Sequence, residues 1–383
     1  MAEELYAKDG VNIDEEDRYS KYCYEVCKST YQNVPYVIVD DWSEGHFQGP
    51  RTFRLNTKEY PFLKKCSIMP APDTNGTKGV LSVLSGNLSA AAQDIVAVGR
   101  TDISRYGGYG AVMSDVLITE TLGTYPDATS LACRTLIDEL GSLANKEGFI
   151  VFNGESCQVG EECQFENPHA VLKFHWVALF LGIFHPSRII RGRGLREGLL
   201  VIALNDQSLG TNGLSSARAA LRMRFGDCYW ENPDAQESIK AAAAPSALYD
   251  RLLMDANGWF DWSEPLPIEL IAHNSGGALR KKFAKLLFKL GLSADLPNLY
   301  APPKIMRDCF EWRGMTDEEA YKVWHCGQRA FVVIEENRAA DFLDLASSHR
   351  VGAWVCGRIT KRPTPSVRFI SKFTGKHMEY FPE

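Results

Sequence analysis

The sequence lacks the long apolar stretch that a membrane-spanning helix requires. Its longest uninterrupted apolar run, residues 176–184, has nine residues, whereas a helix that crosses a bilayer needs about 20. A surplus of positive charge is missing as well, since 42 lysines and arginines stand against 48 aspartates and glutamates. The resulting net charge of −6 argues against binding of nucleic acid through broad neutralisation of phosphates. We therefore expect neither a membrane nor a nucleic acid as a partner.

Signals for export and for disulfide formation are also absent. Residues 1–18 are acidic and contain no apolar core of the kind that a signal peptide has. The ten cysteines form no CxxC pair and no regular framework, so we expect free thiols in a reducing cytoplasm. Cys157 and Cys163 lie close to several glutamates, but zinc ligand pairs are normally separated by only two to four residues. A metal site there is the less favoured interpretation.

The two best-known phosphate-binding signatures are missing. The chain has neither a GxxxxGK[ST] loop nor a GxGxxG fingerprint. What is present is an ordinary globular composition, 45% hydrophobic and 23% charged. At 383 residues, the length predicts two domains or one large one.

Strand-like and helical patterns alternate along the chain. Apolar β-branched runs predict strands at 34–41, 64–71, 80–86, 111–119, 149–154 and 199–205. Apolar residues at helical spacing predict helices at 13–31, 89–99, 127–148 and 215–226. This interleaving predicts an α/β or α+β fold. The segment 186–198, rich in arginine and glycine, is the best candidate for a domain boundary.

A short polar loop in the N-terminal half combines an acid, a glycine, a hydroxyl and an ammonium. It reads DTNGTKG and contains Asp73, Gly76, Thr77 and Lys78. Together these groups can hold a magnesium ion and the phosphates that it bridges. Taken alone, such a loop is more simply a solvent-exposed turn.

Two further polar clusters stand at what we expect to be the ends of strands, where α/β proteins tend to place ligands. Asp94 and Asp102 bracket an apolar stretch in the first cluster, and Glu155 follows a hydrophobic run in the second. Carboxylates at separate strand ends can supply the oxygens that a hard divalent cation needs, and magnesium would then bind nucleotide phosphate. Each of them, taken alone, is better explained as a helix cap or a loop carboxylate.

Two glycine-flanked polar loops in the C-terminal half each precede a predicted helix. One covers residues 211–213 and the other residues 273–277. Free backbone N–H groups at a helix N-terminus favour an anion, so both loops are candidate phosphate sites. Their candidate residues are Asn212, Gly213, His273, Ser275 and Gly276.

Taken in order, these clusters resemble the family of aminoimidazole ribonucleotide (AIR) synthetase, also called phosphoribosylformylglycinamidine cyclo-ligase. The resemblance begins at YAKDGVNIDEEDR and EGHFQG and ends at EEAYKVWHCGQRAFVVI, so it covers almost the whole chain. Between them, DTNGTK is similar to Asp-Gly-Val-Gly-Thr-Lys, and QDIVAVGRTDI keeps the eight-residue interval between two aspartates. NGES resembles Gly-Gly-Glu-Thr, TNG resembles Ser-Asn-Gly, and AHNSGGAL resembles Ala-His-Ile-Thr-Gly-Gly-Gly-Leu.

The resemblance implies a two-domain fold and an activity. Residues 1–190 would form an ATP-binding α/β domain whose sheet pairs across a homodimer, and residues 191–383 an α/β sandwich. The implied reaction is the ATP-dependent closure of formylglycinamidine ribonucleotide to AIR in purine biosynthesis, with Mg²⁺. Apolar strands predicted at 80–86 and 111–119 also favour a sheet that a partner chain covers.

The resemblance also implies roles for the candidate residues. Metal and triphosphate would lie at Asp73, Asp102 and Glu155, and phosphate at Lys78. The implied catalytic residues are Asp73, Lys78, Asp102 and His273, and the implied nucleotide- and substrate-binding residues are Gly76, Thr77, Asp94, Asn212, Gly213, Ser275 and Gly276.

The chain departs from the family pattern at several motif positions. Gly210 stands where the family has the histidine of Gly-Leu-His-Ser-Asn-Gly, and Asn153 and Ala278 replace glycines. The late motif Asn-Met-Gly-x-Gly-Met is residues 325–330 here, with Arg329 at its second glycine. Two alternatives therefore remain beside the cyclo-ligase. One is another ATP-dependent enzyme of the superfamily, such as a selenophosphate synthetase or a thiamine-phosphate kinase, and the other is a catalytically silent dimeric paralogue.

Overall fold

The computed structural model describes residues 13–43, 49–277 and 279–382, and its helices and sheets form a mixed α/β fold, as predicted. The chain divides into two units. The N-terminal unit comprises the residues up to 103 together with 108–187, and the C-terminal unit comprises 104–107 together with the residues from 188 onward. Residues 6–12 and 44–48, which carry part of the family resemblance, and Ala278 lie outside the described residues.

The N-terminal unit contains a four-stranded sheet, a two-stranded sheet and four described α-helices. The helices are α1 (Ile13–Ser29), α2 (Lys78–Leu84), α3 (Leu88–Ser104) and α4 (Ala128–Glu147). The strands are β1 (Val37–Asp41), β2 (Arg51–Leu55), β3 (Ser67–Thr74), β4 (Tyr109–Thr119), β5 (Ile150–Gln158) and β6 (Phe174–Phe184). Short 3₁₀ turns occur at Pro61–Lys65, Gly160–Glu162 and Pro186–Arg188.

The four-stranded sheet, in the order β3-β6-β4-β5, has one covered and one open face. Because side chains alternate along a strand, residues paired across the sheet share a face. Trp176 and Phe180 of β6 are fully buried on the covered face. On the open face, Ile68 of β3 and Leu179 of β6 keep 44% and 37% of their surface exposed. The sheet therefore presents apolar side chains on a face that the described part of its own chain leaves uncovered.

The strand predicted at 80–86 is wrong, because residues 78–84 form helix α2. Gly76, with φ of +54°, turns the chain after β3, and the helix is buried on nearly every side. A short apolar run without periodicity is compatible with a buried helix as well as with a buried strand. The strands predicted at 34–41, 64–71, 111–119, 149–154 and 199–205 are present, with shifted ends.

The C-terminal unit is built on a seven-stranded sheet in the order β13-β12-β9-β11-β7-β10-β8. Its strands are β7 (Leu200–Asn205), β8 (Ile268–His273), β9 (Ser293–Leu296), β10 (Gln328–Ile334), β11 (Ala353–Thr360), β12 (Val367–Ile370) and β13 (His377–Tyr380). Its α-helices are α5 (Leu214–Phe225), α6 (Gln236–Ala242), α7 (Asp250–Ala256), α8 (Lys285–Phe288), α9 (Lys304–Arg313), α10 (Asp317–Val323) and α11 (Ala339–Ser348). A π-helix covers Leu279–Ala284, and 3₁₀ turns occur at Tyr229–Glu231, Pro233–Ala235 and Glu336–Arg338.

Three neighbouring strands of this sheet bring the predicted polar loops together. Strand β10 lies between β7 and β8 and is antiparallel to both. The start of β10 therefore lies beside the ends of β7 and β8, with Gln328 opposite Asn205 and Ala330 opposite His273. The segments that follow β7 and β8 and the one that precedes β10 meet at one end of the sheet.

Among the described residues, no helix is long and apolar enough to span a membrane.

Candidate functional site

Lys78 and Asp94 form a buried ion pair in the N-terminal unit. The Nζ atom of Lys78, at the start of α2, lies 2.8 Å from Oδ1 of Asp94 on α3, and neither side chain has exposed surface. Both were predicted to contact nucleotide, and the structure places them against each other. A charge buried so deeply requires a partner, since the desolvation penalty is several kcal/mol per ion. The pair therefore fixes the loop 73–78 against α3.

The same loop contains a buried amide that the sequence did not single out. Asn75 is 1% exposed, and neither its Nδ2 nor its Oδ1 atom has a hydrogen-bond partner among the described residues. A buried polar group left in this state costs about 1–3 kcal/mol. The loop therefore holds one unused donor and one unused acceptor beside Gly76 and Thr77, which are half-buried. An asparagine in a glycine-containing turn is ordinarily a turn former. The sequence around Asn75 therefore did not indicate that its amide is buried without hydrogen-bond partners in the described part of the chain.

The structure does not bring together the three carboxylates predicted to hold magnesium. Asp73 is close to the end of β3, but Asp102 belongs to helix α3 and Glu155 lies inside β5. Asp73 pairs with Ala178, on the covered face, whereas Glu155 pairs with Val116, on the open face. Three strand spacings separate Asp73 from Glu155, about 14 Å.

The expectation that these carboxylates stand at strand ends is therefore wrong for Asp102 and Glu155. Asp94 and Asp102 both lie on α3, eight residues or about 12 Å apart along the helix axis. No cluster of three or more His, Cys, Asp or Glu side chains that could hold a metal occurs in the described ranges. A magnesium ion bound through one carboxylate and the oxygens of a phosphate remains compatible with Asp73, because Mg²⁺ usually keeps several waters.

A cavity of about 230 Å³ in the N-terminal unit is lined by α1, β4 and β5 and contains an acid that the sequence analysis missed. Asp115 of β4 is 7% exposed, and its Oδ2 atom accepts a hydrogen bond of 2.6 Å from Nε1 of Trp176. Burial raises the pKa of Asp115 to about 6, against the lowering effect of that hydrogen bond. Position 115 lies in an apolar strand, so its pairing with Gly154 and Ala178 became visible only in the sheet.

Replacement of Asp115 by Asn is expected to remove a pH dependence of stability. The folded-state pKa of about 6 exceeds the ordinary value of 3.8, so folding is favoured below pH 4, and this contribution is lost as the pH rises to about 6. Relative to Asp115→Asn, the wild type should lose on the order of 3 kcal/mol of unfolding free energy between pH 4 and pH 7. Denaturant unfolding at both pH values measures this, with the exposed Asp17→Asn as control. Parallel pH profiles for the wild type and Asp115→Asn would contradict it.

The C-terminal unit assembles a polar site from three segments, 206–213, 273–277 and 325–329. The carbonyl of Arg329 accepts a hydrogen bond of 2.8 Å from the backbone N–H of Asn274. A Cβ atom added to Gly276 would lie 3.6 Å from Oδ1 of Asn212, so the two predicted phosphate loops adjoin. Gly213 adopts φ of +73° directly before α5. The structure thus brings together the candidates Asn212, Gly213, His273, Ser275 and Gly276.

His273 is a buried and neutral residue of this site. It is 5% exposed, and its Nδ1 atom is hydrogen-bonded to the hydroxyl of Tyr249. Burial, followed by the positive charges of Arg329 and Arg105, holds the pKa of His273 well below its ordinary value. The imidazole is therefore suited to hydrogen bonding with a substrate and not to acting as a cation.

Asp206 and Arg329 form a second buried pair that the sequence analysis missed. Oδ2 of Asp206 lies 3.7 Å from Nε of Arg329, and Oδ1 of Asp206 accepts a hydrogen bond from the N–H of Ser208. Burial acts to raise the pKa of Asp206, but the charges of His325 and Arg329 hold it below its ordinary value. Arg329 was noted only as a departure from the family motif, because sequence spacing gave no sign that β10 lies beside the 206–213 segment.

Comparison with known sequences identifies the C-terminal half. Residues 196–370 match the family described as AIR synthase related protein, C-terminal domain. The phosphoribosylformylglycinamidine cyclo-ligase of Methanococcus vannielii is 22% identical over 363 residues, 92% of this chain and 91% of its own. That of Geotalea uraniireducens is 23% identical over 93% of this chain and 95% of its own.

Solved structures show the same fold. Hydrogenase maturation protein HypE of E. coli superposes with a TM-score of 0.56 at 12% identity, covering 94% of this chain and 95% of its own. A HypE in complex with ATP gives a TM-score of 0.52 at 14% identity, covering 83% of this chain and 85% of HypE. Thermotoga maritima PurL complexed with FGAR gives 0.52 at 14% identity over 82% of this chain.

This chain spans only 45% of that PurL chain, but more than nine-tenths of both cyclo-ligases. The family match covers residues 196–370 of the C-terminal unit, and the similarity to the two relatives extends over more than nine-tenths of the chain. Residues 196–370 belong to the AIR synthase related C-terminal domain family, and the chain as a whole is similar to phosphoribosylformylglycinamidine cyclo-ligases.

Proposed function

We propose that this protein is an ATP-dependent cyclo-ligase that converts formylglycinamidine ribonucleotide to AIR, with release of ADP and phosphate. The observation that carries the proposal is the meeting of the loops around Asn212 and Gly276 at one end of the β7-β10-β8 sheet. Relatives that align with nine-tenths of the chain are named as enzymes of this reaction. The proposed role therefore rests on the polar site of the C-terminal unit and on sequence similarity that extends over most of the chain.

The chemistry of the reaction requires the groups that the chain provides. An amide oxygen is a poor leaving group, so ATP first transfers its γ-phosphoryl group to the formyl oxygen, and ADP leaves. A nitrogen of the amidine side then attacks the activated carbon, and the C–O bond breaks with release of phosphate, which closes the imidazole. Phosphoryl transfer depends mainly on positioned positive charge and hydrogen-bond donors. The polar loops of both units carry hydrogen-bond donors, and those of the C-terminal unit also carry the buried charge of Arg329.

ATP binding is proposed for the loop 73–78. One structural neighbour, HypE, was solved in complex with ATP. Asn75 offers an unused buried donor and acceptor there, and Asp73 is half-buried at the end of β3. Asp73 would hold magnesium together with phosphate oxygens, and the ion would neutralise charge on the triphosphate. Lys78 acts through its pair with Asp94, which fixes the start of α2.

The ribonucleotide is proposed to bind at the loops of the C-terminal unit. Asn212 and Ser275 lie half-buried at the site and can donate hydrogen bonds to it, and the N-terminus of α5 follows Gly213 directly. Free N–H groups at the start of a 12-residue helix favour a phosphate. Neutral His273 would contribute a hydrogen bond without adding charge.

A homodimer is expected to form through the open face of the four-stranded sheet. The exposed Ile68 and Leu179 lie on this face with the half-buried Val116, Val177 and Leu181. A second copy would cover these side chains. Light scattering should give twice the chain mass of 42.8 kDa, and Leu179→Glu should give monomers, whereas Leu290→Glu, at an exposed position of the C-terminal unit, should not. A monomeric wild type at micromolar concentration would contradict the dimer.

The proposed function is tested by measuring ADP formation while the concentration of formylglycinamidine ribonucleotide is varied. A cyclo-ligase should form ADP only with the ribonucleotide and in proportion to it. ADP formation that ignores the ribonucleotide would instead indicate another ATP-dependent member of the superfamily. No turnover with intact ATP binding would indicate a silent paralogue.

A further inference from the structure

Arg329 carries a buried positive charge whose hydrogen-bonding capacity is unused. The side chain is 1% exposed, and none of its three guanidinium nitrogens has a hydrogen-bond partner among the described residues. Asp206, at 3.7 Å from Nε, offsets the charge but lies beyond hydrogen-bond distance. Guanidinium has five N–H donors in a fixed fork, and burial of unsatisfied donors costs free energy. An oxyanion is the group that would satisfy them.

Asp206 is occupied by other donors. Its Oδ1 accepts from the N–H of Ser208 at 2.8 Å, and its Oδ2 accepts from the N–H of Ala247 at 3.2 Å. These contacts keep the carboxylate directed at the backbone. The donor fork of Arg329 is therefore available to a ligand.

Gly210 makes the space that the guanidinium occupies. A Cβ atom added to Gly210 would overlap Nη1 of Arg329, and the residue adopts φ of +63°. The family motifs that this chain resembles have histidine at position 210 and glycine at position 329. In this chain the large side chain is therefore at position 329 and not at position 210. The guanidinium of Arg329 extends from strand β10 to the turn at Gly210. The guanidinium is therefore directed at the turn that leads to Asn212.

The surroundings of His273 are positively charged, although the whole chain carries a net charge of −6. Arg329, Arg105 and Lys282 all act on the imidazole as positive charges. A further buried acceptor, Oδ1 of Asn274, has no hydrogen-bond partner among the described residues and suits a ligand hydroxyl. The site is therefore electropositive and has both donors and acceptors unused.

We propose that Arg329 is a specificity-determining residue that binds an oxyanion of a small-molecule substrate at the turn 210–213. The group is a phosphate monoester or a carboxylate. The identification of this substrate as the ribonucleotide rests on the proposed function. The binding of an oxyanion by Arg329 does not depend on it. Because the guanidinium is almost fully covered, the proposal requires the turn at Gly210 to move aside when the anion binds. The planar fork gives two parallel hydrogen bonds to either oxyanion.

The test is calorimetric titration of the full-length protein with inorganic phosphate and, separately, with acetate. Phosphate should bind the wild type, Arg329→Gln should weaken it about 10- to 100-fold, and Arg329→Lys should fall between them. Arg338→Gln, an exposed arginine paired with Asp341, should bind as the wild type does. If acetate shows this pattern in place of phosphate, the oxyanion is a carboxylate. Equal affinity in Arg329→Gln, or no binding of either anion to the wild type, overturns the proposal.

Two further outcomes keep the result decisive. If Arg329→Gln fails to fold, Arg329→Lys decides, because it keeps the charge but loses the fork, and an unchanged affinity would refute a bidentate site. In steady-state kinetics, Arg329→Lys should raise KM for the ribonucleotide more than it lowers kcat. Anion binding that depends on Arg329 without ribonucleotide-dependent ADP formation would refute the proposed function and leave this inference intact.

Discussion

Asp102→Asn is expected to lower ATP turnover at least ~100-fold while the melting temperature without ligand stays close to that of the wild type. Asp102 lies half-buried in the last turn of α3, where a negative charge opposes the helix macrodipole and does not stabilise the helix. A helix N-cap role is also excluded by this position. The resemblance of the 93–103 segment to the cyclo-ligase motif, and not the geometry of the described residues, assigns the charge at 102 to the magnesium–triphosphate complex. On that proposal the variant should show a weaker dependence on magnesium.

The control for this substitution is Asp344→Asn, the same chemical change at an exposed position of α11. It should leave turnover unchanged. Turnover of Asp102→Asn within a few-fold of the wild type would show that Asp102 is structural. The magnesium site would then have to be built from Asp73, or from Glu155, without it.

Lys78→Met is expected to destabilise the N-terminal unit by about 3–5 kcal/mol. The substitution removes the ammonium that lies 2.8 Å from the fully buried carboxylate of Asp94. The double variant Lys78→Met/Asp94→Leu should recover most of this loss, because it removes both charges from the interior. Urea unfolding of the single and double variants measures the difference.

Activity in the double variant separates two roles of Lys78. Recovered stability with lost turnover would show that the ammonium also serves the nucleotide. Recovered stability with recovered turnover would show that Lys78 acts only by holding the loop. A single variant as stable as the wild type would contradict the buried pair itself.

The sequence predicted the α/β class and five of the thirteen described strands, because apolar and helical patterns reflect burial directly. It failed at residues 80–86, where a run buried on all sides has no period. It also predicted strand ends for Asp102 and Glu155, although Asp102 lies on α3 and Glu155 lies in the interior of β5. Apolar pattern alone does not fix where an element ends.

The candidate site was predictable to the extent that its residues occur in local motifs. Asn212 and Gly276 stand in glycine-flanked loops that the sequence singled out, and the structure shows that the two loops adjoin. Asp115 and the pair of Asp206 with Arg329 were missed, because their contacts depend on which strands are neighbours. Strand order is a property of the tertiary fold, and no spacing in the chain encodes it directly.

The central claim is that the formyl oxygen of the ribonucleotide is phosphorylated by ATP and leaves as phosphate. Its most direct test uses formylglycinamidine ribonucleotide labelled with ¹⁸O at the formyl oxygen, with mass spectrometry of the phosphate released by the full-length protein. The proposed function predicts one ¹⁸O atom in each phosphate, together with one ADP and one unlabelled AIR for each ribonucleotide consumed. Phosphate without the label, or ADP formed while the labelled ribonucleotide stays intact, would contradict it.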